Sequence, residues 1–308
     1  MKIIITGGSG LIGRALTESL TQDGHEVVIL SRNPKTVTNL PTGAKAVAWD
    51  GKTAAGWGEL LEGTYAIINL AGESIAGDGF IPSRWTAERK RRIRQSRIDA
   101  GEAIVAAVQA AGDKPEVVIQ SSAIGIYGPQ SDELIYEDHP AGDDYLASVC
   151  VDWEAATAGI EEGGVRRAII RTGLVFTPEG GIFDRLQLPF KLFAGGPMGS
   201  GKQYYSWIHM QDAINAIRFL IEKKDAQGVF NLTAPSPVTS REFAKTLGKV
   251  MGRPSFIPVP SFALKLALGE VSMTALEGQR VIPKHLLDLG FEFKYPDLEM
   301  ALLEIVNQ

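Results

Sequence analysis

The chain has 308 residues, 44% of them hydrophobic, enough to bury one large α/β core with a smaller appendage. A formal net charge of −5, from 31 basic and 36 acidic side chains with no long run of one sign, makes neither nucleic acid nor a membrane an expected partner. A single cysteine, Cys150, excludes an internal disulfide, the four histidines lack metal-ligand spacing, and no apolar leader or membrane-length run is present; a cytoplasmic protein without a structural metal is expected.

In chain order, Lys2-Ile3-Ile4-Ile5 reads as a strand that stops at Thr6-Gly7-Gly8-Ser9-Gly10-Leu11-Ile12-Gly13, and residues 14–20 read as an amphipathic helix. Gly7 permits a sharp turn, Gly10 a close backbone approach to a diphosphate, and Gly13 tight packing of helix on strand. Free N–H groups at the helix start and the positive end of its dipole suit the phosphates, so Gly7, Gly10, Leu11, Ile12 and Gly13 form the expected diphosphate site. A second strand, 26–30, ends at Ser31-Arg32. A carboxylate there would hold a ribose 2′-hydroxyl, whereas a guanidinium matches a 2′-phosphate; Arg32, with the Ser31 hydroxyl beside it, points to NADP over NAD.

Residues 45–50 read as the third strand, with Asp50 bordering an adenine. The fourth, 65–73, runs into small residues, where the main chain of Leu70 and Ala71, then Gly72 and Glu73, passes the cofactor ribose and phosphates. A long helix follows over about 86–111; its basic cluster at 89–94 reads as a solvated face, while Arg97, set apart, is expected at the nucleotide. Strand five is 116–120, and 168–176 is strand six with its exit, with Val175 beside the nicotinamide. Glycine-rich stretches at 180–181 and 195–201 read as a rim over a substrate. In Ser206-Trp207-Ile208-His209-Met210-Gln211-Asp212, both His209 and Asp212 read as structural, Asp212 as a partner of a helix N-terminus.

The spacing Gly-x-x-Gly-x-x-Gly opened by Thr6-Gly7 resembles that of the extended short-chain dehydrogenase/reductases, and Asn69-Leu70-Ala71-Gly72 resembles their Asn-x-Ala-Gly element. Ser121-Ser122-Ala123-Ile124-Gly125-Ile126-Tyr127-Gly128 is similar to their Ser-Ser-x-x-x-Tyr-Gly segment. In those enzymes a Ser or Thr polarises the substrate, a Tyr moves the proton, and a Lys four residues later lowers the Tyr pKa. The resemblance assigns the first two roles to Ser122 and Tyr145. It departs from the pattern twice: the usual hydroxyl position, four residues before Tyr127, is Ala123, and the residue four after Tyr145 is Val149.

With Ser31-Arg32, Ser96-Arg97, Arg171-Thr172-Gly173, Gly195-Gly196-Pro197, Ser206-Trp207-Ile208-His209 and Gly278-Gln279-Arg280-Val281-Ile282-Pro283, these motifs resemble the YfcH-like epimerase-family proteins. That group is an atypical branch of the short-chain reductases with its own C-terminal domain. The resemblance implies an α/β fold: a Rossmann doubly wound parallel sheet over residues 1–172, with 205–225 packing back onto it. Residues 173–204 and 226–308 would form a smaller C-terminal α/β domain on the substrate side. The implied function is an NADP(H)-dependent oxidoreductase or nucleotide-sugar-epimerase-like enzyme acting on a small polar substrate. The alternative is a non-catalytic NADP(H)-binding sensor that has lost the Tyr-Lys pair.

Overall fold

Seven parallel strands organise the chain, in a computed structural model that describes residues 1–77, 79–178 and 180–308. They are β1 (Lys2–Thr6), β2 (Glu26–Ser31), β3 (Ala44–Ala48), β4 (Thr64–Asn69), β5 (Val117–Ala123), β6 (Arg166–Thr172) and β7 (Gly228–Leu232). The sheet order is β7-β6-β5-β4-β1-β2-β3. Helices cover both faces, which is why the central strands are near-continuous apolar runs instead of alternating ones. Ile3 and Ile5 point into one layer with Leu16 and Leu20 of α1 (Leu11–Gln22). Ile4 points into the other, with Ile104 and Val108 of α2 (Ala87–Ala110). No helix among the described residues is long and apolar enough to cross a membrane.

The chain builds outward from β1 through β2 to β3, then returns to lay β4 on the other side of β1. The point where the order reverses opens a crevice at the carboxyl ends of β1 and β4, the place where open α/β sheets take ligands.

The expected strand six and its exit are two separate strands. β6 ends at Thr172, and Leu174–Phe176 pairs separately with Trp207–His209. Gly173 stands between them, with no room for a side chain against the Ser206 carbonyl. Residues 228–232, assigned above to the C-terminal domain, are instead β7, the edge strand paired with β6. What remains beyond the sheet is mainly helical: α4 (Gly181–Lys191), α6 (Ser240–Met251), α7 (Ser261–Leu268) and α8 (Leu298–Asn307). Phe176, Phe183, Trp207, Phe243 and Leu302 form its core. Between α4 and α6 in sequence, α5 (Met210–Glu222) packs on the sheet layer that holds α1, and its Arg218 donates to the Ser19 hydroxyl at 2.7 Å.

Asp212 does not cap α5. The His209 Nδ1 takes that position, accepting from Gln211 N at 3.1 Å, so its Nε2 carries the proton and donates to Glu304 at 2.8 Å. The fully buried Asp212 carboxylate accepts from Lys294 N and Tyr295 N, each at 2.8 Å, and so fastens the C-terminal segment to α5. Asp212→Ala strands two backbone N–H groups and is expected to lower stability by about 2–4 kcal/mol, measured by urea denaturation. Burial pulls the His209 imidazole below its ordinary 6.5 despite Glu304. The unfolded chain therefore binds the proton more readily, and stability falls as pH drops below 6.5. Denaturation midpoints between neutral and mildly acidic pH should fall less steeply for His209→Gln than for the unmodified protein.

Candidate functional site

At the crevice, backbone packs on backbone. Gly7 has φ +68°, and a Cβ there would stand 2.6 Å from the Leu70 carbonyl oxygen. A Cβ on Gly13 would stand 2.5 Å from Gly7 O and 2.6 Å from Gly8 Cα. Gly10 N donates to Gly7 O at 2.9 Å, which closes the turn. Helix α1 then starts with no side-chain cap and no acidic residue in its first turn, so its leading N–H groups keep their capacity for an outside acceptor. The Gly180-Gly181 turn, both residues at positive φ, lies on the Leu11 side chain and forms one rim of the groove.

Behind the turn runs a buried chain of side chains that sequence reasoning missed. The Thr6 hydroxyl donates to Asn69 Oδ1 at 2.6 Å, and Asn69 Nδ2 donates to Gln120 Oε1 at 2.8 Å. Ala71 N in turn donates to the Thr6 hydroxyl at 3.2 Å. These bonds cross β1, β4 and β5 and fix the Leu70–Ala71 main chain against Gly7. The signal for them is three polar residues at the ends of apolar strands.

Ser31 ends β2 and Arg32 follows it, Ser31 Oγ accepting from Asn33 N at 3.2 Å and Arg32 exposed. Asp50 closes the turn that carries Gly51 beside the Arg32 stem. Its carboxylate accepts from Lys52 N, Thr53 N and the Thr53 hydroxyl at 2.7–2.8 Å, and these bonds hold it below the usual carboxylate range. Asp50 thus shapes the approach to Arg32, with its own acceptors already engaged. Glu73 takes part through its main chain: its N–H donates to Ser96 Oγ at 3.0 Å and its carbonyl accepts from Arg97 Nη1 at 3.0 Å, while its carboxylate pairs with Arg92.

Arg97 sits where a side chain on Gly72 would collide, 3.1 Å from its Cζ, and its guanidinium stacks on the Trp153 ring at 4.6 Å. Neither Arg32 nor Arg97 has a carboxylate partner among the described residues. Arg97 is half-buried and donates only to main-chain carbonyls, of Glu73 and Ile93, so its charge is suited to an anion supplied from outside.

The groove, lined by Gly7, Gly10, Leu11, Ile12, Gly13, Leu70, Ser122 and Val175 among others, opens into a second cavity of about 270 Å³. Arg97, Ala123, Trp153, Thr172, Gly173 and Leu174 border both. One wall of the cavity is α3 (Tyr145–Ala155), which presents Leu146, Val149, Cys150 and Trp153. Those four fall at i, i+3, i+4 and i+7, one face of a helix.

Tyr145 lies off that face, and the structure does not bring it to Ser122. Its hydroxyl donates to Lys90 O at 2.9 Å, its ring meets Trp85 edge to face, and it lines an outer hollow with Lys265 and Glu270. Burial raises its pKa further, away from any role as a base. Ser122 borders the groove, but its proton is committed. It donates to Glu154 Oε1 at 2.6 Å, and Glu154 is itself held by Arg171 at 2.9 and 3.0 Å. The assignment of Ser122 and Tyr145 as a catalytic pair is therefore corrected. The remaining titratable group on the cavity face of α3 is the Cys150 thiol, which burial pushes up to about 11.

Comparison with known proteins fits this geometry. The NAD dependent epimerase/dehydratase family matches residues 3–233, and a domain of unknown function, DUF1731, matches 259–305. The epimerase family protein YfhF of Bacillus subtilis (strain 168) is 40% identical over 307 residues, 99% of this chain and 98% of its own. The chloroplastic epimerase family protein SDR39U1 homolog of Arabidopsis thaliana is 38% identical over 100% of this chain and 87% of its own. The crystal structure of human epimerase family protein SDR39U1 (isoform2) with NADPH superposes with a TM-score of 0.87 at 33% identity, covering 100% of both chains. UDP-glucose 4-epimerase of Thermotoga maritima, at 18% identity and a TM-score of 0.80, shares the fold. The resemblance read from the motifs holds at the level of the epimerase family, with relatives named YfhF and SDR39U1 in place of YfcH. From its glycine turn to its C-terminal helices, the chain belongs to the NAD dependent epimerase/dehydratase family, as an epimerase family protein with a DUF1731 domain at its C-terminal end.

Proposed function

We propose that this protein binds NADP(H) in the groove and works as an oxidoreductase on a small molecule held in the adjoining cavity. One observation carries the reading: α1 begins uncapped against a backbone cradle that a Cβ on Gly7 or Gly13 would fill. Such a cradle fits a diphosphate, which the N–H groups of Leu11, Ile12 and Gly13 would hold. Arg97, half-buried and lacking a carboxylate partner among the described residues, would face the negative charge at the inner end of the groove, beside the Leu70–Ala71 main chain. At the outer end Ser31 and Arg32 would take a 2′-phosphate, and Val175 would border the nicotinamide. The human relative solved with NADPH supports the same choice of nucleotide.

Bound NADPH would supply a hydride. The chain's own contribution is to orient the ring at the junction between groove and cavity, which Trp153, Leu174 and Ala123 border. A nucleotide-sugar epimerase also needs a base that takes a proton from a sugar hydroxyl, and the α3 face offers Leu146, Val149, Cys150 and Trp153 instead. That favours reduction of a carbon that is already electrophilic, with water supplying the proton on oxygen. The same apolar face supports a second reading, an NADP(H) sensor without turnover. Transfer of deuterium from labelled NADPH into any metabolite of a cell extract decides for the enzyme.

Removing the guanidinium deletes a charge-assisted phosphate contact worth about 1.5–3 kcal/mol, roughly ten- to a hundredfold in Kd. Arg32→Ala should weaken NADPH by that factor in a fluorescence titration and leave NADH nearly unchanged; equal losses for both would count against a 2′-phosphate at this residue. Tyr145→Phe should leave NADPH affinity and NADPH consumption as they are in the unmodified protein, because the hydroxyl points to Lys90 and away from the cavity.

A further inference from the structure

We infer that the cavity accepts a small, uncharged, largely apolar carbonyl compound, an aryl or branched-alkyl aldehyde or ketone, and not a nucleoside diphosphate sugar. The inference rests on the NADP(H) reading above and names the substrate class of the same site.

Size comes first. At about 270 Å³ the cavity lies below the ~300 Å³ at which ordinary ligand pockets begin, so it suits a ring or a short branched chain and not a sugar carrying a nucleotide. Its walls come next. Ile75, Ile124, Leu146, Val149, Leu174 and Met273 face it from the β4–α2 connection, the end of β5, α3, the strand after β6 and the C-terminal segment. Polar side chains line it too, but Ser206, Thr274 and Gln279 are already bonded to the Gln279, Val271 and Gly128 carbonyls, so a sugar's several hydroxyls would find few free partners, and each unpaired polar group costs on the order of 1–3 kcal/mol.

Charge gives the third argument. Arg97 is the one cation among the residues that line the cavity, and it stands at the border shared with the groove, where the cofactor's own phosphates claim it. Where the cavity meets the outer hollow, the bordering ionisable side chains are Asp144 and Glu277, both carboxylates. The hollow outside also holds Lys90, paired with Glu270, and Lys265, but a diphosphate passing inward from it would meet the two carboxylates at the mouth. Asp144 is further tied to the start of α3, accepting from Ala147 N at 2.9 Å, so it does not swing aside freely.

The junction sets the orientation. Ala123 and Gly173, the smallest of the residues bordering both spaces, leave room for a reacting carbon there, and the apolar body of the ligand then lies against Leu146 and Val149. In the reduction, the carbonyl carbon gains a C–H bond from the hydride, the C=O π bond opens onto oxygen, and that oxygen takes a proton from water reaching it from the outer hollow, the hydroxide returning to solvent; NADP⁺ and an alcohol leave.

The test uses the full-length protein saturated with NADPH, whose binding is established beforehand by fluorescence titration. Benzaldehyde, acetophenone and naphthaldehyde are compared with glucose and UDP-glucose, reading thermal stabilisation of the complex and loss of NADPH absorbance. The expected result is stabilisation and NADPH loss with the aromatic carbonyls and neither with UDP-glucose or glucose. Leu146→Gln and Met273→Gln, both at half-exposed cavity positions that a polar side chain tolerates, should each weaken carbonyl binding by about tenfold with NADPH affinity unchanged. Binding of UDP-glucose in preference to the carbonyls overturns the inference. So does an NADPH-binding protein that ignores every carbonyl, or carbonyl affinity unmoved in both variants. Failure to bind NADPH at all overturns the cofactor reading instead.

Discussion

The contact on which the rest of the molecule depends is the one between Gly7 and the Leu70 carbonyl, where two strand exits touch with no side chain between them. It sits at the reversal of strand order, so β1 and β4 diverge directly beyond it and leave a crevice lined by main chain. Gly13 extends the same constraint to α1, whose first turn lies on Gly7 and Gly8. The buried Thr6–Asn69–Gln120 chain holds the two exits in register from behind. In the proposed reading, a diphosphate, an adenine-end phosphate at Arg32 and a nicotinamide beside Val175 would all take their positions from that one approach.

A second constraint comes from α3. The sheet pairs Ser122 with Arg171, and both reach Glu154 on the helix, forming a buried ion pair with a hydroxyl attached. Tyr127 extends it, accepting from Arg171 and donating to Asn231 on β7. This network fixes the rotation of α3 about its axis, and that rotation presents Leu146, Val149, Cys150 and Trp153 to the cavity. Ser122 is thereby engaged within the structure, and the face that α3 turns to the cavity is apolar.

The parts of this arrangement legible in the sequence are those set by local sterics. Glycines every third residue after an apolar run are needed wherever backbone meets backbone, and the place of Arg32 directly after the second strand follows from the local run alone. What escaped depends on residues far apart in the chain. Ser122 is claimed by Glu154, 32 residues on, and Asp212 by backbone groups 82 and 83 residues on. Tyr145 failed by a single position, because one residue along a helix turns a side chain by about 100° and moves it to another face. β7 was placed in the wrong part because a five-residue strand following a helix carries no mark of the sheet it joins; pairing with β6 decides it. The break at Gly173 likewise exists because of Ser206, a contact no window around strand six contains.

The most direct measurement is a crystal structure of the protein with NADPH. The account requires the diphosphate on the N–H groups at the start of α1, over Gly7 and Gly10, with the 2′-phosphate on Arg32 and the nicotinamide at the junction beside Val175. A nucleotide bound away from the glycine turn, or one whose 2′-phosphate points into solvent with Arg32 turned aside, would contradict it.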